Sequence, residues 1–252
     1  MLLFNHSGRF GDLFYSLYAA TQYAKGQPFD LHLHLDVHAY DLSNRPVMMA
    51  KEDTDFLVPL LEVQPYIHNL TISRNYPDKP FINLDAFRQD YSKIVGKEIR
   101  SWYYEYLPIE PVGFDLPVLF IPVHNFPFIE KIAICFTKRY KSVINLRCLK
   151  KFKDLLIFVG LPDEHEAFCE QYFPVEYHKS QNLLDLMQFV HSCKGFVGNV
   201  SGLFAAMECC KMPRVLCLQP SGGDVRCYGD NGTMVNTPQD LVRSVEALLV
   251  RE

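Results

Sequence analysis

Short apolar runs alternate along the chain with longer stretches whose apolar positions return every three or four residues, the patterns of strands and amphipathic helices. "LLFNHS" (2–7) is the first run, and it ends in the glycine-bearing "SGRFGD". Leu13, Leu17, Thr21 and Ala24 then recur at helical spacing, flanked by Phe14 and Tyr18. They predict a helix over about 12–25, closed by Lys25-Gly26. "FDLHLHLDV" (29–37) alternates strictly and predicts a second strand. His32, His34, Asp36 and His38 share one face, and Leu31, Leu33, Leu35 and Val37 the other, so the polar face suits an outer strand. A helix near 53–63, a strand near 68–73 and a short strand in "PFINLD" (80–85) complete the series. Residues 88–110 are aromatic and less regular.

"DLPVLFIPVHNFPFIEK" (115–131) carries three prolines and no helical period, so it reads as an extended connection. The alternation then restarts. "KIAICF" (131–136), "LLIFVG" (155–160), "VEYH", "GFVG" (195–198) and "RVLCLQ" (214–219) predict strands, with helices over 162–173, 182–193, 202–211 and 238–250 between or after them. Strands that alternate with helices and read as continuous apolar runs indicate parallel sheets covered on both faces. The expected α/β fold is therefore two Rossmann-like domains, residues 1–122 and 123–252, facing each other across a cleft. In such sheets ligands bind beyond the carboxyl ends of strands.

Composition narrows the function classes. A net charge of −4 offers no broad basic surface for nucleic acid. No apolar stretch approaches the length of a membrane span, and the first residues lack the layout of a signal peptide. The eight cysteines form no C-x-x-C pair and several sit inside apolar runs, so they read as reduced core thiols of a cytoplasmic protein.

Five segments can carry chemistry. In "HSGRFGDLF" (6–14), Gly8 and Gly11 allow close backbone approach, and Asp12 at the helix start is either a cap or a general base. "TKRYKSVINLRCLKKFK" (137–153) is basic without an acid. Its later lysines suit a solvated helix face, whereas Arg139 and Lys141 directly follow a strand and can reach a phosphate. "GFVGNVSGLFAAMECCK" (195–211) passes from strand to helix through Gly198, Asn199, Ser201 and Gly202. It is either a turn and cap or an anion site on free helix N–H groups, and both can hold together. The histidine row of 32–38 cannot close a tetrahedron around a metal from one straight strand. The glycine-rich "QPSGGDVRCYGDNG" (219–232), with Asp224 and Arg226, is a surface loop or a lid.

Three segments, taken in order, resemble the heptosyltransferase-like family of GT-B glycosyltransferases (family nine). They are "SGRFGDLFYSLYAA", "LLIFVGLPDEHEAFCE" and "FVGNVSGLFAAMECCKMPRVLCL". The last is similar to that family's strand–Gly–(Asp/Asn)–Ser–Gly–helix–Pro–strand donor signature, although the usual acid is here Asn199 and the usual nearby histidine is absent. The resemblance implies an inverting, metal-independent transfer from a nucleotide-sugar donor to a glycan or other hydroxyl acceptor. No cofactor is implied. Asp12 would be the catalytic base, and Arg139, Lys141, Gly198, Asn199, Ser201 and Gly202 would hold the donor diphosphate. Gly8, Arg9, Gly11, His38, Asp85 and Arg88 would line the acceptor side or the cleft. A sugar-nucleotide epimerase of the same architecture and a non-catalytic nucleotide-sugar or glycan-binding module are the rival readings. No strand is followed by G-x-G-x-x-G with an acid about 20 residues on, which argues against a dinucleotide oxidoreductase.

Overall fold

The computed structural model describes residues 1–37, 48–111, 113–122, 126–140, 142–218 and 224–251. His38 and Lys141 lie outside the described residues. The chain divides into two compact units. The first takes Met1–Phe114 with residues 118–120 and 182–184, and the second takes the remainder.

In the first unit, β1 (Leu3–His6), α1 (Phe10–Tyr23), β2 (Phe29–His34), α2 (Lys51–Glu62), β3 (Ile67–Ser73), β4 (Ile82–Asn83) and α3 (Ile99–Tyr104) follow the apolar runs closely. The strands form one parallel sheet in the order β3-β2-β1-β4. Phe4 shows why β1 is buried throughout: its ring meets Tyr23 of α1 edge-on at 6.0 Å and Phe29 of β2 at 4.8 Å. Leu13, Phe14, Leu17 and Tyr18 form the inward stripe of α1.

The alternation over 29–37 predicts an outer strand, and here the structure differs. β2 lies between β3 and β1, is buried at all six positions and stops at His34. The polar face is covered because the chain beyond β3 turns back over it. His32 Nε2 donates to the Asn75 carbonyl (3.1 Å), His34 Nε2 donates to the Arg74 carbonyl (2.8 Å), and Thr71 Oγ1 lies 2.9 Å from His32 Nδ1. Burial holds His32 below the usual histidine range, so its ring is neutral and fits these bonds. The pair is thus tied to the chain after β3 through both Nε2 atoms, while His34 Nδ1 is buried without a hydrogen bond. Asp36 follows with φ +57° and closes on Arg74 through an ion pair at 2.5 Å.

The second unit holds β5 (Ile129–Cys135), β6 (Leu156–Val159), α4 (Pro162–Gln171), β7 (Glu176–His178), α5 (Leu183–His191, whose first two residues belong to the first unit), β8 (Cys193–Gly198), α6 (Gly202–Cys210), β9 (Arg214–Cys217), β10 (Gly232–Val235) and α7 (Pro238–Leu249). Its six parallel strands run β7-β6-β5-β8-β9-β10, the doubly wound order in which the sheet grows one way and then the other from its middle. Ile132, Ile134, Phe158, Val197, Val215, Leu241 and Val245 close its core. Residues 146–155 form a 3-10 stretch that turns Leu146, Leu149 and Phe152 inward at three-residue spacing, leaving Lys150 and Lys151 outward. α7 is capped by Thr237, whose hydroxyl accepts the Asp240 N–H at 3.1 Å. β10 emerges from the end of the glycine-rich segment that pattern alone reads as loop.

Candidate functional site

Each sheet reverses direction of growth at one place, and in open α/β sheets that is where ligands bind. In the first unit it lies between β1 and β4, whose ends carry His6 and Asn83. The chain beyond β1 (Ser7, Gly8, Arg9) and the chain beyond β4 (Asp85, Arg88) meet there. Asp85 accepts hydrogen bonds from the Ser7 backbone N–H and from Ser7 Oγ, the latter at 3.0 Å. Arg88 Nε donates to Asp85 Oδ1 at 3.1 Å and Arg88 Nη2 donates to Asp12 Oδ2 at 2.6 Å. His6 Nδ1 stands 3.4 Å from Asp85 Oδ1. A Cβ on residue 8 would come within 2.5 Å of Arg88 Nη2 and 3.0 Å of Asp85 Oδ1, so the absent side chain of Gly8 is what lets the guanidinium lie across the loop.

Asp12 is not the helix cap. Arg9 occupies the N-cap position, and Asp12 stands in the first turn with its carboxylate on Arg88, 22% exposed against 4% for Asp85. Tyr103 of α3 fixes the same turn by donating its hydroxyl to the Asp12 carbonyl at 2.7 Å. Burial holds the Tyr103 hydroxyl protonated, far above the usual tyrosine range. For Asp85 burial opposes charge, yet His6, Arg88 and the Ser7 N–H outweigh it and keep the carboxyl below its ordinary value. For Arg88 burial likewise opposes charge, and the two carboxylates outweigh it, raising its pKa. Gly11 is the second residue of α1, one place before Asp12.

In the second unit the reversal lies between β5 and β8, with Cys135 and Gly198 paired at their ends. Gly198 is needed for packing: a Cβ there would lie 2.7 Å from the Cys135 carbonyl oxygen and 2.8 Å from the Phe196 ring. Backbone cannot yield cheaply, so Gly198→Ala is expected to cost about 1–3 kcal/mol, read as a lowered urea midpoint of the circular-dichroism signal. Asn199 is only 2% exposed and its amide is spent on backbone. Its Oδ1 accepts from the Thr137 N–H at 2.9 Å, and its Nδ2 donates to the Thr137 carbonyl at 2.9 Å and to the Tyr140 carbonyl. Asn199 thereby clasps the chain after β5 to the chain after β8.

Ser201 caps α6, accepting the Phe204 N–H at 3.0 Å, and Gly202 opens the helix. That leaves early backbone N–H groups at the sheet's reversal point, where the helix dipole favours an anion. Arg139 lies over the Tyr140 ring at 4.8 Å, while Lys138 pairs with Asp163 at 3.0 Å on the surface.

Sequence reasoning missed the charged cluster behind this loop. Glu208 and Arg214 are both fully buried and paired, and Lys211 Nζ reaches Glu208 at 2.6 Å. Together they hold the Tyr228 peptide: its N–H donates to Glu208 (3.2 Å) and its carbonyl accepts from Arg214 (2.5 Å). The far end of the glycine-rich segment is thereby pinned. An acid six residues before an arginine in an apolar stretch is the only signal that the sequence carries. All eight cysteines are free thiols. Among the described residues no helix is long and apolar enough to cross a membrane, and no group of three or more His, Cys, Asp or Glu could hold a metal.

No family model matches the chain, and no curated protein does. Solved structures match over the whole chain. A family nine glycosyl transferase from Veillonella parvula has 12% identity and a TM-score of 0.65, covering 100% of this chain and 97% of that one. The E. coli heptosyltransferase WaaC with ADP has 11% identity and a TM-score of 0.60, covering 98% and 99%. The iron-containing dodecameric glycosyltransferase TibC of enterotoxigenic E. coli has 13% identity and a TM-score of 0.58, covering 92% and 61%. At these identities the likeness is one of fold: the chain has the α/β fold of the heptosyltransferase-type GT-B enzymes.

Proposed function

We propose that the protein is a glycosyltransferase that moves a sugar from a nucleoside-diphosphate donor to a hydroxyl acceptor, with Asp12 as general base. The observation that carries this reading is the placement of Asp12. It is a part-exposed carboxylate at the reversal point of its sheet, with one oxygen held by Arg88 and its turn held by Tyr103. A group so oriented suits proton abstraction, because geometry precedes strength in a general base. Asp12 Oδ1 would take the acceptor's proton as the acceptor oxygen bonds to the anomeric carbon. The bond from that carbon to the diphosphate breaks, its electron pair leaving on the phosphate oxygen, and the configuration inverts.

On the donor side, the α6 N-terminus with Ser201 and Gly202, aided by Arg139 and Lys141, would stabilise the departing diphosphate. No step in this scheme calls on a metal or a cofactor. Gly198 and Asn199, which fix the course of the loop before α6, would border the diphosphate with Ser201 and Gly202. Gly8, Arg9 and Gly11 would border the acceptor. ADP is the first nucleotide to test, because WaaC was solved with it.

The full chain should be melted with ADP, GDP and UDP and with their sugar conjugates. One nucleotide class is expected to raise the Tm by several degrees at millimolar concentration. A flat response to all of them would overturn the reading. Sugar isomerisation without an acceptor would replace it with the epimerase.

A further inference from the structure

Arg88 is a nearly buried cation between two carboxylates, and only one of them, Asp12, is in a position to meet a substrate. A cation bonded to a general base alone would work against it, since an adjacent positive charge favours the carboxylate over the acid that catalysis must form. Proton arrival would also leave the guanidinium buried with no counter-ion, a costly state. Here the guanidinium has a second partner. Arg88 Nε donates to Asp85 Oδ1 at 3.1 Å, a bond made by a different guanidinium nitrogen from the one that holds Asp12. The trio carries one net negative charge before the proton arrives and none after it.

We propose that Asp85 is a positioning residue that neutralises Arg88, so that Arg88 orients the Asp12 carboxylate without holding protons off it. The inference rests on the reading of Asp12 as the base. Several observations support Asp85 as the fixed hub. It is buried, it is bound by the Ser7 N–H and hydroxyl, it has His6 against its Oδ1, and it stays ionised despite burial. The charged and titratable groups around Asp12 and Asp85 come from four elements. Arg88 and Tyr103 contact Asp12 from the chain after β4 and from α3, Asp85 and His6 (the last residue of β1) stand behind Arg88, and Arg9 and Tyr15 lie at the start of α1. Tyr103 contributes no charge at neutral pH, and His6 bears on Asp85.

The test needs no known substrate. The full chain, labelled with carboxyl-13C aspartate, is titrated by NMR, and the resonance missing from Asp12→Asn is assigned to Asp12. In Asp85→Asn the midpoint of that resonance is expected to fall by about one pH unit, because Arg88 becomes an unshared cation. In Arg88→Gln it is expected to rise by about one unit, and in Arg88→Lys to stay nearer the wild type. A purely structural role for Asp85 would not move the two variants in opposite directions. An unmoved or raised midpoint in Asp85→Asn overturns the proposal. If Asp85→Asn does not fold, a midpoint in Arg88→Gln that fails to rise overturns it instead. Full turnover by Asp12→Asn would sink the assignment of the base, a result that is separate from the titration.

Discussion

Asp12→Asn is expected to lower glycosyl transfer by about 10²–10⁴-fold, the range that a positioned general base contributes. Asparagine keeps the size and one acceptor oxygen, so Arg88 retains a partner and the loop keeps its course. The donor groups proposed around Ser201 belong to the other unit, and nucleotide affinity should stay within about twofold, a change well under 1 kcal/mol. The pairing of lost turnover with retained binding is the informative outcome. Calorimetry with the nucleotide that raises the Tm, alongside turnover on its sugar conjugate, reads both quantities. Turnover near the wild-type rate would remove Asp12 from the chemistry and leave it as part of an ion pair.

Arg214→Met is expected to destabilise the second unit by about 3 kcal/mol, the lower end for stranding one member of a buried ion pair. Glu208 would be left fully buried, with Lys211 as its remaining cation and the Tyr228 N–H as a donor. Removing both charges with Glu208→Gln and Arg214→Met should recover part of the loss, because the fully buried carboxylate is gone and the Lys211 ammonium keeps the Tyr228 carbonyl. The single tryptophan, Trp102, lies in the first unit, so its fluorescence does not report on this change. Amide exchange over 224–235 does. Faster exchange there in Arg214→Met, with unchanged protection of β1 and β2, is the expected pattern. Uniform loss across both units would contradict it.

The apolar runs made most of the fold legible. "LLFNHS", "KIAICF" and "GFVG" are strands because short apolar segments between turn residues have little else to become, and Leu241, Val245 and Leu248 mark α7 by spacing alone. The errors have physical causes. Strict alternation over 29–37 assigns a polar face to solvent, yet His32 and His34 are covered because the chain after β3 supplies carbonyls to their rings. Gly232 ends the segment read as a loop, yet it opens β10 because β9 offers it a parallel edge.

The site was legible only in part. Asp12 could be singled out by its neighbours, whereas its partnership with Arg88 joins two segments that pair only through the sheet. Asn199 stands where an acid was expected, and nothing local shows that its amide is committed to Thr137 and Tyr140.

The strand order of the second unit has a consequence for the way the loop proposed to hold the diphosphate comes into being. β5 joins β6 through a short local crossover, and β7 follows, so this half of the sheet can assemble as soon as its own residues are available. β8 must return from residue 193 to the far side of β5, a non-local closure of the kind that slows folding. The clasp between Asn199 and the Thr137 loop is made only at that closure. A chain caught before it would hold a formed β5-β6-β7 layer, an open sheet edge at β5 and no turn between β8 and α6 of the kind proposed for the diphosphate. Nucleotide added during refolding would then find its loop only after the slow step, so competence to bind should lag behind the recovery of secondary structure.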